Sequence, residues 1–537
     1  MFVAIGAIYW TCRSTTLIGD GLRHLPALRT IVPGTSLQFE PKPWLELYRN
    51  YYETAVVHNH VLFGLMARGG FAVSKVISRN GDAVVAMQFE NCVAAALAAA
   101  LFFLLLVQVG ISEWIAVLVT TALSLTPVYI TAGTNIAEAG LALPFFITSL
   151  LLLAKPTVTN RNAFFLGVTT ALAADIYFLA GALVPCIAVA LVPTQERTWL
   201  KKLYPSFVFL GVFASVFLGI WVGVLYFAGI HDPAALALAI LRFPQQGTYG
   251  GFKLGSLLAT PIGMAQSLFS ILPDSFVGLR QLYRTAPTTL LLAAVASLAI
   301  LGALAFSIFR LVKYEQMRRP VMLASLLSFL LIEAVCVEWD PYYLKLQLFA
   351  VIPFFLLLTA GLSGARRKWS VGLMGTLLLG IAISGIHELV LNRRPSLSVQ
   401  NARKLHAVVG ESLLITGWSS DVAHLWLYSN GTNIVSLPDF ALARKLETER
   451  VEADLNGLIS KVSAEHGKVF FYGIFDPLQR NLTVVYETRF RLNGFGTYLK
   501  QFEGQLKEID SFQQSGGTRC LLYELNLERS DQILGAK

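Results

Sequence analysis

Apolar positions along this chain come in long runs, at 84–108, 115–131, 137–154, 164–192, 206–230, 288–310, 321–338, 344–364 and 369–389. The hydrocarbon core of a bilayer, about 30 Å thick, is crossed by about 20 helical residues, so runs of this length predict membrane-spanning helices. The opening stretch MFVAIGAIYWTC is short for a span. It reaches the necessary length only by continuing through Arg13 to Ile18, with the Arg13 guanidinium turned outward.

The run at 164–192 is too long for one helix and carries Asp175 near its middle. As a single helix it would leave Arg197, Lys201 and Lys202 on one side of the membrane and the basic loop RLVKYEQMRRP on the other. As two short spans turning near Asp175, it collects these cations on one side, which the positive-inside bias favours. The split gives about eleven spans in all. It also makes the N-terminus cytoplasmic and puts 13–83, 231–287, the turn EWDPYY and everything after Leu389 on the outer face.

The outer segments differ in character. NHVLFGLMARGGFAVSKVI predicts an amphipathic helix over 60–79, with Arg68, Lys75 and Arg79 on its polar side. Such a helix suits the membrane interface, and equally an ordinary packed surface. The 231–287 loop, with RFPQQGTYGGFKLG, reads as a surface excursion or a lid. Beyond LNRRPSLS, short apolar strands (SLLITGW, TNIVSLPDF, KVFFYGIFD, TRCLLYELN) alternate with polar helices such as ETERVEADLNGLISKVSAEHG. That alternation predicts a soluble α/β domain. The expected organisation is an α-helical polytopic membrane domain, 1–390, followed by a soluble α/β domain, 391–537, on the outer face.

Composition agrees with this reading. Hydrophobic residues make up 55% of the chain and charged residues 14%, against about 25% charged in a soluble domain. Mean hydropathy is +0.60. The formal charge of +9 reports the cytoplasmic loops and implies no nucleic acid partner. The cysteines are scattered, with no disulfide framework or metal-ligand spacing, and no nucleotide-binding glycine motif is present. Glu90, Asn91, Glu138 and Glu333 fall in or at the ends of apolar runs. Ionisable groups are costly there and tend to face a cavity or a partner.

Three stretches then line up: IGDGLRHL after the first apolar run, HNHVLFGLMARG at 58–69, and EWDPYYLKLQLFAVIPFFLLLTAG at 338–361. In order and spacing, residues 1–390 resemble the C-type-fold membrane glycosyltransferases that use polyprenyl- or dolichyl-phosphate sugars. That group includes protein O-mannosyltransferases and lipid A aminoarabinose transferases. The resemblance implies a catalytic Asp in the first outer loop, here Asp20. It implies an Asn-His or His-Pro motif opening the juxtamembrane helix, here Asn59-His60, and a late Arg-Tyr-Leu-like motif, here Tyr342-Tyr343-Leu344. The chain departs from the family pattern in having Gly21 after Asp20, Val61 after His60, and Lys345 as the nearest cation in the late motif. It further implies a multi-pass protein of a bacterial inner membrane with its C-terminal domain outside the cytoplasm.

Chemistry limits what such a site needs. A phosphate leaves as a stable anion, so one carboxylate can suffice as general base for the acceptor hydroxyl. A glycosidase, which expels a poor leaving group, uses two. Charge developing on the phosphate needs cations or oriented donors. Asp20 is therefore the expected base, with inversion at the anomeric carbon. Arg23, Arg68, Lys75 or Lys345 would hold the phosphate. Asn59 and His60 would bond the sugar or Asp20, although by spacing they also fit a helix N-cap. Asp340 and Tyr343, beside Tyr342, would contact the donor, and His24 and His58 complete the substrate-binding set. Glu138 would line the sugar pocket or make an interhelix bond. The expected partners are the bilayer, a lipid-phosphate sugar donor, and a lipid, glycan or protein acceptor. The chemistry asks for no cofactor and no divalent metal. Two other readings stay open: a transporter or flippase for a lipid-linked sugar, and a non-catalytic protein of the same fold.

Overall fold

The computed structural model describes residues 1–14, 61–77, 83–155, 158–192, 199–227, 231–234, 254–270, 283, 287–338, 344–363, 368–392, 397–410, 412–417, 433–437, 440–441, 447–475, 493–513 and 519–526. They fall into two compact units, one of residues 1–14 and 61–392 and one of residues 397–526.

The first unit is helical. In chain order come α1 (Phe2–Thr11), α2 (Val61–Ile77), α3 (Ala83–Gln108), α4 (Glu113–Ser124), α5 (Pro127–Thr134), α6 (Glu138–Leu153) and α7 (Asn160–Ile176). A 3-10 turn (Phe178–Ala182) leads into α8 (Leu183–Ala190), α9 (Trp199–Phe227), α10 (Leu254–Phe269), α11 (Pro287–Lys313), α12 (Pro320–Glu338), α13 (Leu344–Ser363) and α14 (Lys368–Asn392). Local chemistry sets several of the ends. Thr159 caps α7, its hydroxyl accepting from the Asn162 N–H at 3.3 Å. Glu138 opens α6 at the end where the helix dipole favours a carboxylate, and Arg310 and Lys313 close α11 where it favours cations.

The chain is an integral membrane protein. Among the described residues, six helices are long and apolar enough to cross a bilayer, seven if α4 and α5 are one broken span. The sequence reading of about eleven counted every apolar run as a crossing. Several runs form shorter helices, and α1, with ten residues, rises only about 15 Å. Nor does α1 continue through Arg13. It ends at Thr11, and the Arg13 guanidinium folds back over the Trp10 ring, 4.6 Å from its centroid, while donating to the Trp10 carbonyl.

Two breaks have legible causes. The apolar run at 115–131 bends by 69° between α4 and α5. Pro127 disfavours the helical conformation at Thr126, which is extended, and itself suits the first turn of the next helix. The run at 164–192 breaks directly after Asp175: α7 ends at Ile176 and Tyr177 is extended. The 231–287 loop is more than a surface excursion, because it contains α10, buried from Ala259 to Leu268 apart from Pro261. At the centre of the unit, α13 is buried along nearly all its length.

The second unit is a three-layer α/β sandwich built from α15 (Leu397–Val409), β1 (Leu413–Thr416), β2 (Asn433–Ser436), α16 (Thr448–Ala464), β3 (Val469–Tyr472), α17 (Phe495–Glu503), β4 (Leu506–Gln513) and β5 (Arg519–Leu525). The sheet order is β2-β1-β3-β5-β4. β1 runs parallel to β2 and β3, whereas β5 pairs antiparallel with β3 and β4. The two-residue period of a strand divides the core. Leu413, Ile415, Val469 and Phe471 pack with α16 and α17 on one face, while Leu414, Phe470 and Tyr472 pack with α15 on the other.

Candidate functional site at one end of the helical unit

Of the residues expected to do chemistry, Asp20, Arg23, His24, His58, Asn59, His60, Asp340, Tyr342 and Tyr343 lie outside the described residues. Arg68 and Lys75 stand two turns apart on α2, and Lys345 stands in the first turn of α13. Glu138 is fully buried at the start of α6.

The helix ends flanking those segments form a polar cluster. Ser14, the last described residue before the loop that carries Asp20, donates its N–H to the Thr134 carbonyl at 3.0 Å. The Gln88 amide donates to the Ser14 carbonyl at 2.9 Å and to the Thr134 carbonyl at 3.3 Å. One helical turn further along α3, Asn91 lies against the opening turn of α6. A Cβ on Gly140 would sit 2.5 Å from Asn91 Oδ1. Asn91 anchors its own amide on the Met87 carbonyl at 3.0 Å. The starts of α3 and α6 and the end of α5 therefore meet at one end of the bundle.

Two further acids lie elsewhere in the unit. Ser149 bonds Thr169 at 2.8 Å across antiparallel α6 and α7, a register that puts Asp175 opposite Leu143, about 8 Å along the helix from Glu138. Asp175 is buried and faces the Trp221 indole. The neighbouring Tyr177 ring stacks on Phe349 of α13. Across the α12–α13 pair, Gln347 donates to Glu333 Oε2 at 3.4 Å. Between α10, α11 and α12 opens a groove of about 310 Å³, lined by Leu257, Met264, Ile300, Phe329 and Glu333 among others. Its walls are almost wholly apolar.

Glu90 and Glu138, with Gln88 and Asn91, thus place carboxylates and amides where α3, α5 and α6 meet, and polar groups among apolar helices mark a cavity or a partner. Such groups accept from hydroxyls, so the arrangement suits a sugar better than a phosphate, which needs cations. Among the described residues no three His, Cys, Asp or Glu side chains come together to hold a metal ion. Ser14, Gln88 and Gln347 were not singled out from the sequence. An amide inside an apolar run was the available signal for the two glutamines, whereas Ser14 gives none.

No family model and no curated protein sequence matches the chain. Solved structures do. The aminoarabinose transferase ArnT from Cupriavidus metallidurans, bound to undecaprenyl phosphate, superposes with a TM-score of 0.53 at 12% sequence identity, over 97% of this chain and 97% of that one. The same enzyme in the apo state gives a TM-score of 0.55 at 12% identity, with the same coverage of both chains. Over nearly its whole length, the chain has the fold of the C-type membrane glycosyltransferases.

Proposed function

We propose that the protein is a membrane glycosyltransferase that moves a sugar from a lipid-phosphate donor to an acceptor hydroxyl, with Asp20 as general base. The observation that carries this reading is the end-to-end likeness to ArnT, one of whose structures holds undecaprenyl phosphate. The polar cluster adds support. Its hydroxyl-accepting groups stand where Ser14 leads into the loop bearing Asp20, and a separate pair, Gln347 with Glu333, follows in sequence the segment bearing Asp340, Tyr342 and Tyr343.

In this reaction the acceptor oxygen forms a bond to the anomeric carbon as the bond from that carbon to the phosphate oxygen breaks. Asp20 takes the hydroxyl proton, and the lipid phosphate departs with the electron pair. Arg23, Arg68, Lys75 and Lys345 are the cations proposed to balance its charge. Glu138, buried beside this end of the bundle, is proposed to orient sugar hydroxyls. The donor sugar, the acceptor class, and placement in a bacterial inner membrane with the C-terminal unit outside the cytoplasm belong to the same proposal.

The test is to incubate purified protein with a radiolabelled polyprenyl-phosphate sugar and membrane extract, comparing the natural sequence with Asp20→Asn. Transfer by the natural sequence and its loss in the variant are expected; equal transfer by both removes Asp20 from the base role. One observation favours a second reading. The broken α4–α5 span is a feature that transporters use to build midplane sites. Movement of the donor across liposomes without its consumption would establish that reading instead.

A further inference from the structure

α3 carries two adjacent polar residues, Glu90 and Asn91, and each lies against a glycine of a different helix. Asn91 meets Gly140 of α6, as described above. Glu90 meets Gly70 of α2 more closely: a Cβ on Gly70 would sit 1.5 Å from Glu90 Oε1, 2.3 Å from its Cδ and 2.9 Å from its Cγ. The outer half of the side chain runs along the glycine, so a rotation of the carboxylate tip alone would not make room. Glu90 also lies near the Gly70 backbone N–H. Its second oxygen, Oε2, is buried with no hydrogen-bond partner. A carboxylate inside an apolar span is costly to hold in that condition, and the grip on Gly70 is what its position achieves. α2 packs on α3, α7 and α9, with Phe63 fully buried.

We propose that Glu90 is a positioning residue that docks α2 onto α3, with Gly70 as the gap that admits its carboxylate. Arg68 and Lys75 share a face of α2 that, by helical spacing, lies roughly opposite Gly70. The contact therefore fixes where those two cations are carried. Their effect on a donor phosphate rests on the function proposed above, whereas the docking does not.

The test is hydrogen exchange of the α2 amides in the full-length protein in lipid nanodiscs. Alanine is the better helix former, so a purely local effect of Gly70→Ala would slow exchange. Docking through Glu90 predicts the opposite, exchange several-fold faster than in the natural sequence. Glu90→Ala removes both the grip and the obstacle, so Gly70→Ala/Glu90→Ala is expected to exchange no faster than Glu90→Ala alone. Glu90→Gln, which keeps an acceptor oxygen, is expected to stay near the natural rate. Gly140→Ala, pressing on Asn91, is the control and is expected to leave α2 exchange unchanged.

Slowed or unchanged exchange in Gly70→Ala, additive effects in the double variant, or an equal response to Gly140→Ala would each overturn the proposal. With a protein that transfers sugar, Gly70→Ala is expected to lower kcat/KM for the donor several-fold, because the displaced cations balance charge that develops as the phosphate leaves. An unchanged kcat/KM would overturn the link to the cations. If the exchange pattern holds while the natural sequence transfers nothing, the docking stands and the proposed activity falls.

Discussion

Tyr177 lies stacked on Phe349, ring centroids 5.4 Å apart and planes 10° from parallel. Phe349 also takes the Phe146 ring edge-on at 5.1 Å. Tyr177 is the residue at which the 164–192 run breaks, so an aromatic contact with the central helix α13 holds the break in place. Phe349 is fully buried. Its replacement by alanine removes both ring contacts and leaves a cavity at the break. Phe349→Ala is expected to cost about 3–5 kcal/mol, read as a lowered thermal unfolding midpoint in detergent. Phe349→Leu should recover much of it.

Asp20→Asn carries the sharpest chemical prediction. A positioned general base contributes about 10²–10⁴-fold to a rate, so transfer should fall by that order while the unfolding midpoint stays put. A fall in both together would mean that the side chain holds structure and does not move a proton.

Arg319 links distant parts of the bundle. Its guanidinium donates to the Val109 carbonyl at 2.9 Å, at the end of α3, where carbonyls have no partner within the helix. Arg319→Ala should lower stability by about 0.5–1.5 kcal/mol, measurable in the same unfolding assay. Arg319→Lys should recover part of the loss.

The C-terminal unit should be sensitive to alkali. The Tyr498 hydroxyl donates to Asn456 Oδ1 at 2.7 Å. Burial, with a smaller contribution from Glu452, pushes its pKa well above the ordinary tyrosine value of 10.0. A raised folded-state pKa means that the stabilisation is complete below pH 10 and is lost as pH climbs beyond it, when an unfolded tyrosine ionises and the folded one does not. Limited proteolysis of the full chain should therefore cut this unit faster above pH 10, and Tyr498→Phe should blunt that dependence.

The strands that were legible in sequence are those that stand as short apolar segments between polar ones, four of the five, and α16 fills one of the polar stretches. The fifth, β4, was not, because it is an edge strand with only Phe512 buried. α10 was hidden for a different reason. Its sixteen residues are too few for a span, and Pro261, Gln266 and its hydroxyl residues dilute the apolar signal. The bend at Thr126–Pro127 was signalled by the proline but masked by the hydrophobicity on either side. For the site, the acids were visible as charges inside or at the ends of apolar runs, whereas the meeting of α3, α5 and α6 around Gln88 and Asn91 depends on helix directions that only packing sets. Asp20 rests on resemblance and chemistry.

Ser14 and α2 each have a contact on α3. Ser14, before the segment that bears Asp20, is held by Gln88; α2, after it, is gripped by Glu90; and both glutamine and glutamate project from the same early turns of α3. A tilt of α3 would thus pull on Ser14 and on α2 at once.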